Sequence, residues 1–212
     1  MTTELNIETE ANEFMASRFP VPGAGTTVTI DTRRARLAER AIDNGLLDVA
    51  YRTIDSPVGE LLVAATEAGL VRVAFAHEDF DDVLTQLAAN ISPRILETAR
   101  RTDLAARQID EYFAGDRRSF DLSVDLQLVA GFRRAVIISL SDIGYGTTAS
   151  YGAVASAVGN PGAVRAVGSA CSHNPLPVVI PCHRVIRSDG AIGQYLGGVD
   201  AKIALLALEA AA

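Results

Sequence analysis

Residues 177–198 read PVVIPCHRVIRSDGAIGQYLGG. Cys182, one of two cysteines in the chain, is followed directly by His183 and Arg184. A cysteine reacts as its thiolate, so a working thiol needs its ordinary pKa, near ~8.5, lowered by a cation, a histidine or a helix N-terminus. Cys182-His183 supplies the ingredients. Adjacent side chains of an extended strand point to opposite faces, so contact between them requires a turn or a bridging water. Glu209, in a predicted C-terminal helix over 200–210, can orient His183, which gives a nucleophile–base–orienter relay. The bland reading is that Cys182 is a small core residue in an apolar setting.

Several elements must hold these groups. The apolar run PVVI is strand-like, so Cys182 is predicted where a buried strand meets a loop. Pro181 forces Ile180 to be extended. Upstream, GYGTTASYGAVASAVGNPGAVRAVGSACSHNP predicts two short Ala-rich helices. The first, YGAVASAVG, is capped by Ser150; GNPG turns; the second covers 163–172. Two short helices joined by a tight turn fit a helix-turn-helix. GFRRAVIISLSDI (131–143) predicts the helix before them. Nearer the N-terminus, β-rich runs at 48–54, 59–66 and 69–76, with turns at SPVGE and TEAGL, predict a β-meander. Helices follow at 79–91 and 101–114, the second closed by Gly115. FDLSVDL (120–126) reads as an edge strand or an extended link. FPVPGAGTT (19–27) reads as a linker, and 31–47 as a charged amphipathic helix ending near Gly45. The expected organisation is a partly flexible extension over 1–46, an α/β domain over 47–127, and a DNA-binding and active-site domain over 128–212.

The chain has 212 residues and a formal net charge of −7. Residues 1–130 hold 13 Lys+Arg and 22 Asp+Glu, a net of −9, whereas residues 131–212 hold 6 and 4, a net of +2. That excludes a protein that coats nucleic acid non-specifically and confines any contact to a narrow C-terminal face. No apolar run reaches the ~18 residues of a membrane span, so no membrane partner is expected. The acidic N-terminus lacks the apolar stretch of a secretory signal. Two cysteines make neither a disulfide framework nor a zinc-ligand spacing. A reducing cytoplasm without metal or cofactor is the expectation.

The ordered set HNP…PCHRV…G-x-Y-x-GG…K…LL…E, with SYGAVASAVGNPGAVRAVGSA upstream, closely resembles the O6-alkylguanine-DNA alkyltransferases, the methylated-DNA–protein-cysteine methyltransferases. FRRAVIISLSDIGYGTTASYG aligns with the family's preceding helix, and YRTIDSPVGELLVAATEAGLVRVAF resembles its N-terminal sheet. The match runs over about 48–209. It implies an α+β fold: a small β-meander, ribonuclease-H-like α/β domain followed by a helical, winged-helix-like domain with a helix-turn-helix. It implies DNA repair by irreversible, single-turnover alkyl transfer to Cys182 from O6-alkylguanine, with O4-alkylthymine as a further candidate. The partner implied is double-stranded DNA, approached from the minor groove by a monomer after base flipping. His183 and Glu209 match the proton relay, and Asn174 matches the brace of the active-site turn. Tyr151 matches the tyrosine that helps rotate the nucleotide. Arg165 matches the arginine finger, flanked by the small residues Ala163, Ala166 and Gly168 that let the helix press into the groove. Val185, Gly193, Tyr195, Leu196 and Lys202 match the base pocket, with Gly197-Gly198 equally readable as a tight turn. Lys202 reads equally well as an exposed helix position, and Arg184 as a structural ion pair. Ile137 stands where the family often has tryptophan, Gly144 where it often has proline. No cysteine precedes residue 171, so the zinc site of some relatives is not expected. The competing readings are a non-catalytic alkylguanine-binding protein and a Cys–His hydrolase with an oxyanion hole among the glycines of 190–198.

Overall fold

Strand β2 (Leu61–Ala65) is buried along its whole length, because the sheet around it carries helices on both faces. The computed structural model describes residues 30–211; the expected linker at 19–27 lies outside them. The chain divides into Met1–Arg36 and Leu37–Ala212, and the contacts below all lie within the second unit. Helix α1 (Ile30–Asp43) is followed by Gly45 at φ 65°, and Asp43 pairs with Arg100 at 2.6 Å.

β1 (Val49–Ile54), β2 and β3 (Leu70–Phe75) form the expected antiparallel meander. β4 (Ile95–Glu97) pairs parallel with β1 and completes the order β3-β2-β1-β4. Side chains alternate between two faces. Leu62 and Ala64 pack under helix α2 (Phe80–Asn90) through Val83 and Leu87. Leu61, Val63 and Phe75 face helix α3 (Asp103–Phe113), through Ala106, Ile109 and Tyr112, and the helices that follow. The 120–126 run is an extended link with one bridge, Leu70 to Val124. β4 escaped the sequence reading. It is three residues long, follows a proline, and gains its partner only when the chain folds back onto β1.

The last eighty residues are helical. α4 (Gly131–Leu140) buries Val136, Ile137 and Leu140. Ile137 thus fills its position as an ordinary core residue. α5 (Tyr151–Ala157) starts where Ser150 accepts a hydrogen bond from the Ala153 amide, the expected cap. α6 (Val164–Ser172) packs on α4 and α5 through Val167, Ala170 and Cys171. β5 (Ala149–Ser150) pairs with β6 (Val185–Ile186), which ties the start of α5 to the residues just after Cys182. α7 (Gly198–Ala210) closes the described fold.

The free edge of β3 is filled from two distant segments. Leu70 N–H donates to Ser123 O at 2.9 Å, Asp125 N–H to Leu70 O at 2.8 Å, and Val73 N–H to Pro175 O at 2.8 Å. Gly69, at φ 142°, allows the first approach: a Cβ there would sit 2.3 Å from Ser123 O. Gly69→Ala is therefore expected to cost about 2–4 kcal/mol, since both the backbone strain and the contact with Ser123 must be relieved. Urea unfolding checks this, and a loss below about 1 kcal/mol would show that the link moves away freely.

Candidate active site

Pro175, Pro177 and Pro181 cannot donate to a sheet ladder, and Val178 takes φ 72°, which no strand residue does. The PVVI segment is consequently a buried turn, closed by Ile180 N–H to Leu176 O at 2.8 Å, and not the predicted strand. Cys182–Arg184 form one turn of 3-10 helix. The turn, and not an extended strand, therefore carries Cys182 and His183.

Asn174, fully buried, braces this turn. Its Nδ2 donates to Ile180 O at 2.8 Å and to Cys182 Sγ at 3.1 Å, and its Oδ1 accepts from the Leu176 amide at 3.0 Å. Cys182 is only 2% exposed. Burial pushes its thiol up to about 11, against the opposing pull of the Asn174 hydrogen bond and the Lys202 charge. This corrects the expectation of a lowered thiol pKa: desolvation of the thiolate outweighs the favourable groups, and the resting Cys182 thiol is neutral.

His183 Nε2 lies 2.9 Å from Glu209 Oε1. Burial by itself would raise the pKa of Glu209. Hydrogen bonds from His183 and Arg184 bring it to about 2 instead, so the carboxylate is ionised at neutral pH. An ionised carboxylate only accepts, so His183 Nε2 carries the proton and Nδ1 holds the free lone pair. Burial lowers the His183 pKa despite Glu209 and keeps the ring neutral. Nδ1 has no hydrogen-bond partner among the described residues. Arg184 binds Glu209 through Nη2 (2.8 Å to Oε1) and Nε (2.9 Å to Oε2). Its Nη1 holds the Ile143 carbonyl.

A cavity of about 400 Å³ opens over Cys182, lined also by Tyr151, Gly168, Cys171, Arg187, Gly193 and Tyr195. Tyr195 stands edge-on to His183, with centroids 6.3 Å apart, and to Phe75 of β3, at 5.8 Å. Gly193, at φ 73°, keeps the loop close to the Tyr151 hydroxyl, which a Cβ would meet at 3.4 Å. Three residues matched to the base pocket, Val185, Leu196 and Lys202, are not among the lining residues. Lys202 is fully buried and Nζ donates to Val185 O at 2.6 Å, so the exposed-helix reading of this lysine is overturned. Arg165 and Ala166 are exposed on α6, with Ala163 and Gly168 half-buried beside them. The sequence reading missed Cys171, Ser172, Arg187 and Gln194 in the cavity wall. Cys171 and Ser172 stand three and four residues after Gly168 on one helix face, a spacing that signals their place. Arg187 and Gln194 lie in loops and carry no such signal.

The ribonuclease-like domain of 6-O-methylguanine DNA methyltransferase matches residues 49–126, and the DNA binding domain of the same family matches residues 131–211. The chain belongs to the 6-O-methylguanine DNA methyltransferase family. A methylated-DNA–protein-cysteine methyltransferase of Mycolicibacterium paratuberculosis is 41% identical over 161 residues, 76% of this chain and 92% of the relative. The constitutive Bacillus subtilis methylated-DNA–protein-cysteine methyltransferase is 37% identical, covering 75% and 94%. The Mycobacterium tuberculosis O6-methylguanine methyltransferase structure aligns with a TM-score of 0.68 at 38% identity, covering 77% and 93%. The structure of Mycobacterium tuberculosis OGT in complex with DNA aligns at 0.67 and 37%, covering 76% and 93%.

A thiol held near 11 gives a direct test against small reagents. Iodoacetamide is expected to modify Cys182 slowly at about pH 7.5, with a rate climbing roughly tenfold per pH unit toward 11 as thiolate appears. Peptide mass spectrometry distinguishes Cys182 from Cys171. A rate that levels off below about pH 9 would contradict the buried, protonated state.

Proposed function

We propose that this member of the family repairs DNA by moving the alkyl group of O6-alkylguanine onto Cys182, once per molecule. The observation that carries the reading is a buried thiol under a cavity lined by α5 and α6, followed in the chain by a neutral imidazole whose Nδ1 has no partner among the described residues. The thiol proton passes to His183 Nδ1 through a bridging water. Sγ bonds to the alkyl carbon as the carbon–O6 bond breaks, O6 keeps the electron pair, and the base takes up a proton to become guanine. The product is a thioether, which has no easy leaving group, so the protein is consumed. Ionising a thiol of pKa about 11 is unfavourable at neutral pH. Coupling proton removal to attack avoids a standing thiolate, and Asn174 Nδ2 is already in place to stabilise charge that develops on sulfur.

The O6 carbon of a stacked base cannot be reached in line, so the nucleotide must leave the helix, at a cost of a few kcal/mol. Tyr151, at the start of α5 and on the cavity wall, rotates and contacts the flipped nucleotide on this reading. Arg165 enters the stack behind it, and Ala163, Ala166 and Gly168 let α6 press into the minor groove. On this reading Gly193 and Tyr195 line the base pocket, Lys202 steadies the strand beside it through the Val185 carbonyl, and one copy acts alone.

Intact-protein mass after incubation with a duplex carrying one O6-methylguanine decides the matter. One methyl gained on Cys182, absent in Cys182→Ser and equal to the DNA repaired, is the expected result. Lesion binding with no mass gain would convert the reading to a lesion-binding protein, and multiple turnover would convert it to a hydrolase. Because the basic residues are few on the C-terminal side, the log–log slope of DNA affinity against salt is expected to be shallower than about −6. A steeper slope would mean neutralisation of ~7 or more phosphates.

A further inference from the structure

Glu209 Oε1 accepts from more than the imidazole and the guanidinium. Tyr112, fully buried on α3, donates its hydroxyl to the same oxygen at 2.7 Å. Tyr112 belongs to the part of the chain that covers the sheet, nearly one hundred residues before Glu209, and none of the sequence motifs includes it. Its ring is fixed by Phe113 and Phe120, both 5.4 Å away between centroids, and edge-on by Tyr145 at 6.1 Å. A ring so packed holds its hydroxyl in one place. We propose that Tyr112 is a positioning residue for alkyl transfer: its hydroxyl competes with His183 Nε2–H for Glu209 Oε1 and so limits how strongly the carboxylate holds the imidazole.

Hydrogen bonds to one acceptor atom withdraw charge from it, so each weakens the others. With Tyr112 in place, Oε1 is shared among Tyr112, His183 and Arg184, while Oε2 takes Arg184 Nε and the Gly146 amide at 3.2 Å. Removing the hydroxyl returns charge density to Oε1, which stabilises the protonated imidazole. His183 then becomes harder to keep neutral, and a ring that is already protonated cannot take the thiol proton. Tyr112 serves as a donor throughout the working range, because burial and the neighbouring carboxylate keep its hydroxyl protonated well above the ordinary tyrosine pKa. The other groups facing this pair are Lys202 of α7 and Arg184 of the active-site turn, whose charges disfavour His183 protonation. Tyr145 lies beside Tyr112 and Arg184, and Tyr195 lies edge-on to His183. All four stay in place when the Tyr112 hydroxyl is removed.

The proposal rests on His183 accepting the thiol proton, so the experiment separates the two. The rate of methyl transfer from an O6-methylguanine duplex is measured against pH for the wild type, Tyr112→Phe and Phe120→Leu. The expected result is an acid limb displaced upward by roughly half a pH unit in Tyr112→Phe, so that its rate falls about threefold below wild type at the foot of the limb. Phe120→Leu disturbs the same packing without touching the carboxylate. It is expected to lower Tm and leave the limb where it is. Equal limbs for wild type and Tyr112→Phe, or an equal displacement in Phe120→Leu, would overturn the proposal while leaving transfer to Cys182 intact. No adduct in the wild type would instead sink the functional reading. Should Tyr112→Phe fail to fold, proton NMR of the wild type decides. The Tyr112 hydroxyl and His183 Nε2 protons are expected as slowly exchanging signals with a mutual NOE, and a rapidly exchanging hydroxyl would overturn the idea.

Discussion

An ionised carboxylate buried to 3% exposure organises this molecule. Taking such a group out of water costs several kcal/mol unless donors replace its hydration. For Glu209 the replacements come from α3, from the loop at Gly146, and from the turn that carries His183 and Arg184. Those segments can reach one carboxylate only if the sheet, its covering helix and the C-terminal helices are assembled together. The demand that Glu209 be satisfied is thus also the demand that the imidazole behind Cys182 be held in one tautomer and one orientation.

The Cys182 thiol is governed by the opposite balance. Around Cys182 the apolar surroundings win, and the thiol stays protonated despite Asn174 and Lys202. One turn of 3-10 helix therefore separates a group kept charged from a group kept neutral. The difference lies in the number of donors aimed at each: one side-chain amide reaches Sγ, whereas Glu209 collects Tyr112, His183, Arg184 and Gly146. Low reactivity at rest follows from this scarcity.

Much of this was legible in the sequence where local rules decide the outcome. The β-rich runs and the turns at SPVGE and TEAGL marked the meander, Ser150 marked the start of α5, and Gly45 and Gly115 marked helix ends at φ 65° and 83°. The resemblance brought Cys182, His183, Asn174 and Glu209 together by number, and the structure finds two contacts among them, Asn174 to Cys182 and His183 to Glu209. What stayed hidden depends on long-range placement. β4 exists only because β1 lies beside it. PVVI has the composition of a strand, but three prolines and a positive φ at Val178 turn it into a compact bend. Lys202 carries a charge that composition assigns to the surface, yet its stem and ammonium are enclosed under Val185. Tyr112 reads as one more aromatic on an amphipathic helix, and only its distance to Glu209 distinguishes it.

The outer edge of β3 has a consequence for how the chain matures. An unpaired strand edge is a template for any other extended chain. Here it is filled by residues 123–125 and by Pro175, both made after the strand itself. During synthesis from the N-terminus, the edge of β3 is therefore open until the chain has grown past Pro175, with fifty residues separating the two plugs. The segment that braces the reactive turn thus also seals the sheet, and a chain cut short before it would present a sticky strand to its neighbours.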